Sequence, residues 1–424
     1  LDLEVGSLRW GLVPLRIELR DVVVESPGVV LRAARADVDV GAFFLARATL
    51  VLNSVELSGL DLRLEGLPEG AGGGGGGPEI DVVIKRLDLS DFRFQGESLP
   101  GGIGAAADGV AVSWVLDGAS IQGQTSVARL DLDIPGVEPV SVEGSADFRW
   151  RDVLEITSFT LDAGGLGVQG RGTVAPDGSE LSLVADGSLD LAELDRVVHI
   201  GGVLRGRVDL GFDIDLQRTE PLRVLARSDA VSVAGLPLEA LRGSVSVGSG
   251  GIRGVIDRAV FLGGDLEATY VLDRVAPPFP HSVQGRCRGF DLADFLEALG
   301  APSGGLAARA DATVGLEWNG RQFPMGSGLA TATLRPGSGP LPAAGDLEVE
   351  LTAPGWLQFS SGDLRVGDSL VRLQGPLELG TWEPAWSLWA EPAVMTDVVG
   401  LVNGFAGVPV LPPQLGGSGR LDVS

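Results

Sequence analysis

Apolar and polar residues alternate along most of this chain. Leu1-Asp2-Leu3-Glu4-Val5 does so, as do Leu15-Arg16-Ile17-Glu18-Leu19-Arg20 and Leu60-Asp61-Leu62-Arg63-Leu64-Glu65. The pattern returns in Leu130-Asp131-Leu132-Asp133-Ile134, in Val208 to Leu216, in Leu347-Glu348-Val349-Glu350-Leu351 and in Leu377-Glu378-Leu379. In a strand successive side chains point to opposite faces, so each segment has one apolar and one charged face. Pro135-Gly136, Pro176-Asp177-Gly178, Asn319-Gly320 and Pro336-Gly337 punctuate the runs as turns. The reading is an all-β, mostly antiparallel chain, wet on one side of its sheet.

One run changes step. Leu87 and Leu89 share one parity, Phe92 and Phe94 the other. A β-bulge near Ser90-Asp91 returns both pairs to one face, and two short strands with a bend are the alternative. Three stretches read as short helices: Asp190 to about His199, Asp291 to Leu299 ahead of Gly300, and Met395 to about Phe405. Leu189-Asp190-Leu191-Ala192-Glu193-Leu194 matches Phe290-Asp291-Leu292-Ala293-Asp294-Phe295, and a glycine-rich turn and an alternating strand follow each. That predicts a repeat of about 100 residues, several strands plus one helix. The glycine run Gly72 to Gly77 predicts a flexible linker over 67–78, between an N-terminal β segment, 1–66, and a repeated array, 79–424. With no Lys-Ser/Thr after it, it is not a phosphate loop.

An apolar sheet face must be covered, and three short helices are too few for so many strands. A two-sheet sandwich, a closed barrel or solenoid, and a curled sheet with an open greasy interior remain. Aromatic residues are only 5% of the chain, and the inward sets are mainly Leu, Val and Ile with Gly and Ala. Such a lining suits flexible hydrocarbon, and a plain packed core is the competing reading. The expected lining comprises Leu62, Leu64, Leu87, Leu89, Phe92, Phe94, Leu130, Leu132, Ile134, Val208, Leu210, Phe212, Ile214, Leu347, Val349 and Leu351.

The chain holds 57 acidic and 32 basic residues, a formal charge of -25. That field repels nucleic acid, which is excluded as a partner. No apolar run reaches the length of about eighteen residues that crosses a bilayer. The sequence opens on Leu1 and stops in mid-pattern at Ser424, so it reads as a middle segment with any signal or anchor outside it. Chemistry is not expected. His199 reads as a helix-end or packing residue and His281 as loop, and neither has metal-ligand spacing to a Cys or another His. Cys287, the only cysteine, reads as a plain strand residue between arginines. Asp131/Asp133 and Asp213/Asp215 share a solvated strand face, and Asp37-Val38-Asp39 lacks the rest of a calcium loop. Trp382, Trp386 and Trp389 read as a plug at one end of a β core. No cofactor is implied.

The stretch Trp10-Gly11-Leu12-Val13-Pro14-Leu15-Arg16-Ile17-Glu18-Leu19-Arg20-Asp21-Val22-Val23-Val24 resembles the opening of the AsmA superfamily, in its YhdP-like and TamB-like branches. Ala36 to Val40, Phe44 to Ala48 and Val55 to Leu64 continue the likeness, and the repeated Leu-Asp-Leu-Ala-Glu-Leu helix is similar to the family's later repeats. The resemblance implies a periplasmic β-groove, anchored in the inner membrane by a segment outside this sequence. Such a groove carries phospholipid acyl chains between inner and outer membrane. It also implies an outer-membrane protein partner in TamB-like members. A surface β-solenoid adhesin is the alternative of another class, although Asn53, Asn319 and Asn403 are too few for its asparagine ladders. A carbohydrate-active β-enzyme needs a paired-acid cleft that the sequence does not offer.

Overall fold

The computed structural model describes residues 2–12, 15–26, 29–44, 49–64, 81–99, 103–133, 139–175, 180–198, 203–233, 235–248, 250–273, 279–298, 300, 303–320, 326–352, 356–361, 363–378, 387–406 and 416–423. Twenty-six strands and three short helices make up most of them, so the protein is all-β. Two compact units share the chain: Leu1–Gly202 with Gly211–Gln217, and Val203–Leu210 with Arg218–Ser424.

Unit one runs through β1 (Asp2–Leu12), β2 (Leu15–Ser26), β3 (Val29–Phe44), β4 (Thr49–Leu64), β5 (Asp81–Ile84) and β6 (Arg86–Leu99). It continues with β7 (Ile103–Asp117), β8 (Ser120–Asp133), β9 (Val140–Trp150), β10 (Leu154–Ala163), β11 (Leu166–Val174), β12 (Leu181–Asp190) and α1 (Leu191–Val198). Strand β13 (Leu204–Asp215) gives this unit its residues from Gly211 onward. Successive strands pair antiparallel through tight turns such as Asp117↔Ser120 and Ala163↔Leu166. Gly118, Gly164 and Gly165 take the positive φ those two-residue turns require. The exception is β4, which β5 and β6 follow in parallel, from Thr49↔Asp81 to Leu64↔Gly96. The expected linker, 67–78, lies outside the described residues. The strands on either side of it pair within one unit, and the compact units divide near Gly202.

Unit two takes Leu204 to Leu210 of β13, then β14 (Leu222–Val233), β15 (Leu236–Gly248), β16 (Gly251–Phe261), β17 (Gly264–Leu272) and β18 (Pro280–Asp291). After α2 (Leu292–Ala298) come β19 (Leu306–Asn319), β20 (Ser327–Pro336), β21 (Leu341–Thr352), β22 (Trp356–Ser361), β23 (Leu364–Val366), β24 (Ser369–Glu378) and β25 (Ser387–Val394). Helix α3 (Met395–Ala406) and β26 (Ser418–Val423) complete it. Its strands are antiparallel apart from a short parallel contact between β19 and β21.

The step change at Ser90-Asp91 is a bulge within continuous β6. Asp91 is left-handed, with φ 52°, and the pairing with β7 shifts between Leu89 and Phe92. Leu87, Leu89, Phe92 and Phe94 are half-buried, whereas Ser90, Asp91 and Arg93 are exposed. The same fault crosses neighbouring strands. Asp21 on β2, Gly59 on β4 and Gly109 on β7 are also left-handed, and they stand opposite Gly6, Ala34 and Ala128. A left-handed residue resets the alternation, so Leu57 and Leu60 point the same way although their spacing is odd. The row of faults keeps one face apolar along strands too long for strict period two.

The helices begin about one hundred residues apart, at Leu191, Leu292 and Met395, each directly after a strand. Asp190 and Asp291 cap the first two: their Oδ1 atoms accept from Ala192 N and Ala293 N at 2.9 Å each. Gly300 closes the end of α2 with φ 76° and a bond from its N to Glu297 O. Helix α3 lacks that aspartate. Its buried Asp397 instead accepts from Asp368 N and Ser369 Oγ, which ties the helix to the turn between β23 and β24.

Unit two has a dry core. Cys287, Phe290, Ala308, Ala310, Leu334, Leu341, Val371 and Ala390 are buried together, and Leu292 and Phe295 of α2 and Val398 and Leu401 of α3 pack onto them. Phe295 meets Phe261 and Phe290 edge-on, with centroids 6.1 and 5.7 Å away. Unit one shows no comparable buried cluster among the described residues.

Candidate functional site

The inward face of unit one opens into a cavity of about 440 Å³. Six adjacent strands build its wall. Val127 and Leu130 come from β8, Val142 from β9, Ile156, Phe159 and Leu161 from β10, Leu166 and Val168 from β11, Leu183 and Ala185 from β12, and Phe212 and Ile214 from β13. Laid flat, six strands span about 24 Å, so side chains from the first and last share one hollow only because the sheet is concave here. Glycine and alanine make the hollow: Gly144 and Ala146 on β9 and Gly170 and Gly172 on β11 put little between the flanking leucines and valines. An added Cβ at Gly144 would lie 2.5 Å from Thr160 O, so this surface is already at backbone contact. The exposed wall carries apolar atoms only, and Leu161 keeps 44% of its surface open.

The opposite face is charged. Asp131 accepts from Ser141 Oγ and from Arg129 at 2.8 Å, and these bonds hold its carboxyl below its ordinary value. Ser113 and Arg86 do the same for Asp88. On β3, Asp37 is buried between Arg35 and Arg16, and the Arg35 hydrogen bond is the main cause of its lowered pKa. Asp39, two residues on, has a buried Oδ1 with no partner among the described residues.

Three of the sixteen expected lining residues, Leu130, Phe212 and Ile214, meet in this cavity. Leu62, Leu87, Leu89, Phe92, Phe94 and Leu132 are half-buried elsewhere in unit one. Leu64 ends β4, paired with Val29. Ile134 lies outside the described residues. Val208 is buried and Leu210 half-buried in unit two. Leu347 packs against the dry core, Val349 is half-buried and Leu351 is buried. The wall residues on β9 to β12 escaped the sequence reading. Their alternation is diluted by Gly, Ala and Ser, and a fault between Ile156 and Phe159 breaks its parity.

The reactive side chains fall elsewhere. His281 is not in a loop: it stands on β18, paired with Leu272 of β17 and Trp318 of β19, takes part in a 2.8 Å hydrogen bond with Tyr270 Oη, and stacks on Trp318. The proline-rich run ahead of it reads as loop, but β18 already begins at Pro280. Cys287 is a strand residue whose thiol burial pushes up to about 11, so it stays protonated and unreactive. His199, Trp382 and Trp386 lie outside the described residues. Trp389 stands on β25 between the guanidinium groups of Arg372 and Arg420, 5.2 and 5.8 Å from its ring centre. No group of metal-ligating side chains is found among the described residues, and no helix there is long and apolar enough to cross a membrane.

Comparison with protein-family models, with curated proteins and with solved structures yields no match.

Proposed function

We propose that the chain is a non-enzymatic conduit for phospholipid acyl chains, with the concave apolar face of unit one as its lipid-bearing surface. The observation that carries this reading is the cavity whose open wall is hydrocarbon from six consecutive strands, on a sheet whose other face is ionic. A two-chain lipid exposing on the order of thirty methylenes loses about 25 kcal/mol on entering water, at about 0.8 kcal/mol per methylene. A greasy face removes that barrier without a nucleotide, a metal or any bond chemistry. The likeness of residues 10–24, 36–40, 44–48 and 55–64 to AsmA-superfamily proteins supplies the setting: the periplasm, an inner-membrane anchor and an outer-membrane partner.

The test is mass spectrometry of organic extracts from the purified protein, compared with Leu130→Asp and Phe212→Asp variants. Phospholipid should accompany the wild type and fall away in the variants. A folded wild type that carries no lipid, and takes none from labelled vesicles, would overturn the proposal.

A further inference from the structure

We infer that the outward face of β14–β16 holds a binding site for a phosphate-bearing anion, built on Arg227, Arg242 and Arg258. The registers set these three side by side: Arg227 pairs with Arg242, and Arg242 with Arg258. All three are exposed, on neighbouring strands about 4.8 Å apart. Like charges directly opposite one another in a sheet repel, so such a row needs a counter-charge.

Elsewhere the protein supplies one. Arg20 pairs with Arg35, and Glu18 touches both, at 2.7 and 3.7 Å. Arg309 pairs with Arg335, and each has an aspartate, Asp291 at 3.8 Å and Asp311 at 2.6 Å. In the row on β14–β16 the one ion pair is Arg258 with Asp265, at 3.8 Å. Among the described residues Arg227 and Arg242 have no carboxylate partner, in a chain with 57 acidic residues to choose from. Arg223 and Arg253 flank the row on the same strands, facing Ser246 from either side. Five guanidinium groups therefore lie on this face, the row of Arg223, Ser246 and Arg253 separated from that of Arg227, Arg242 and Arg258 by Leu225, Ser244 and Val255.

A guanidinium fork matches phosphate oxygens two at a time, and neighbouring forks at strand spacing grip one phosphate group from both sides. The field of a chain with charge -25 disfavours long polyanions, so the ligand is compact: a free phosphate or the headgroup of a phospholipid.

The experiment is calorimetric titration of the whole chain with inorganic phosphate, against chloride at equal ionic strength, and sedimentation with phosphatidylglycerol or phosphatidylcholine vesicles. Arg227→Gln and Arg242→Gln are the variants. Both sites are exposed, and circular dichroism checks that each variant is folded. Phosphate binding by the wild type, weakened about tenfold or more in each variant, supports a site for the free anion. Arginine-dependent binding to phosphatidylglycerol vesicles alone supports the headgroup as its source. Binding to neither probe, or equal binding by wild type and variants, overturns the inference.

Discussion

Phe212 and Ala310 are both inward apolar residues, yet their surroundings ask opposite things of a substituted charge. Phe212 lies on the cavity wall and is half-buried, so a carboxylate there draws in water and stays partly hydrated. Phe212→Asp should lower stability by about 1–2 kcal/mol while abolishing lipid retention. Ala310 is wholly buried beneath α2 and its neighbours, and Ala310→Asp should cost about 4 kcal/mol or more. Parallel denaturant melts separate the two, and similar losses at both sites would mean that the cavity is packed as tightly as the core. Asp37 gives a pH prediction. Its folded pKa is depressed, so its contribution to stability is complete above the unfolded value of about 4 and fades as pH falls through the folded one. Asp37→Asn should therefore be less stable than wild type at neutral pH, with the gap closing in acid. Urea melts at pH 7 and pH 3 measure that gap, and a constant difference would show that the carboxylate's charge is not what stabilises β3.

Among the elements, the fault row sets how far the sequence could be read. Strand class follows from alternation and the first two helices from the Asp-Leu-Ala motif, because those signals are local; α3 carries no such motif. The switch of parity was read only at Ser90-Asp91, where two leucines and two phenylalanines mark both sides. Around Gly109 alanine, glycine and valine blur the faces, and at Ala34 and Ala128 the partners on the next strand make the switch, whereas at Gly59 the change from Val55 and Leu57 to Leu60 and Leu62 stands in the sequence and was missed. The cavity was legible only through Leu130, Phe212 and Ile214, since Gly, Ala and Ser dilute the alternation on β9, β11 and β12 and a register shift between Ile156 and Phe159 breaks it on β10. Gly109→Ala tests the row. An alanine there is left-handed at φ 64°, and its Cβ lies 2.8 Å from that of Ala128, so a loss of about 1–3 kcal/mol is expected. Asp91→Gly, which relieves a left-handed side chain, should be neutral or slightly stabilising in the same urea melts. A harmless Gly109→Ala would show that the faults are loose joints without a conformational requirement.

Across the whole molecule, the two units use the same alternating strands for different ends. In unit two, α2, α3 and three phenylalanines fill the inward face and leave a dry core. In unit one the inward face of β8–β13 stays open and lined with hydrocarbon, which is the basis for assigning acyl chains to it. A photo-crosslinking amino acid placed at Leu161 and, separately, at Thr160 tests this assignment most directly. Leu161 projects into the cavity, and Thr160 projects from the other face of the same strand, bonded to Ser145. Organic-extractable phospholipid adducts are expected at 161 and none at 160. Adducts at both positions alike, or at neither in a folded protein exposed to phospholipid, would contradict the assignment.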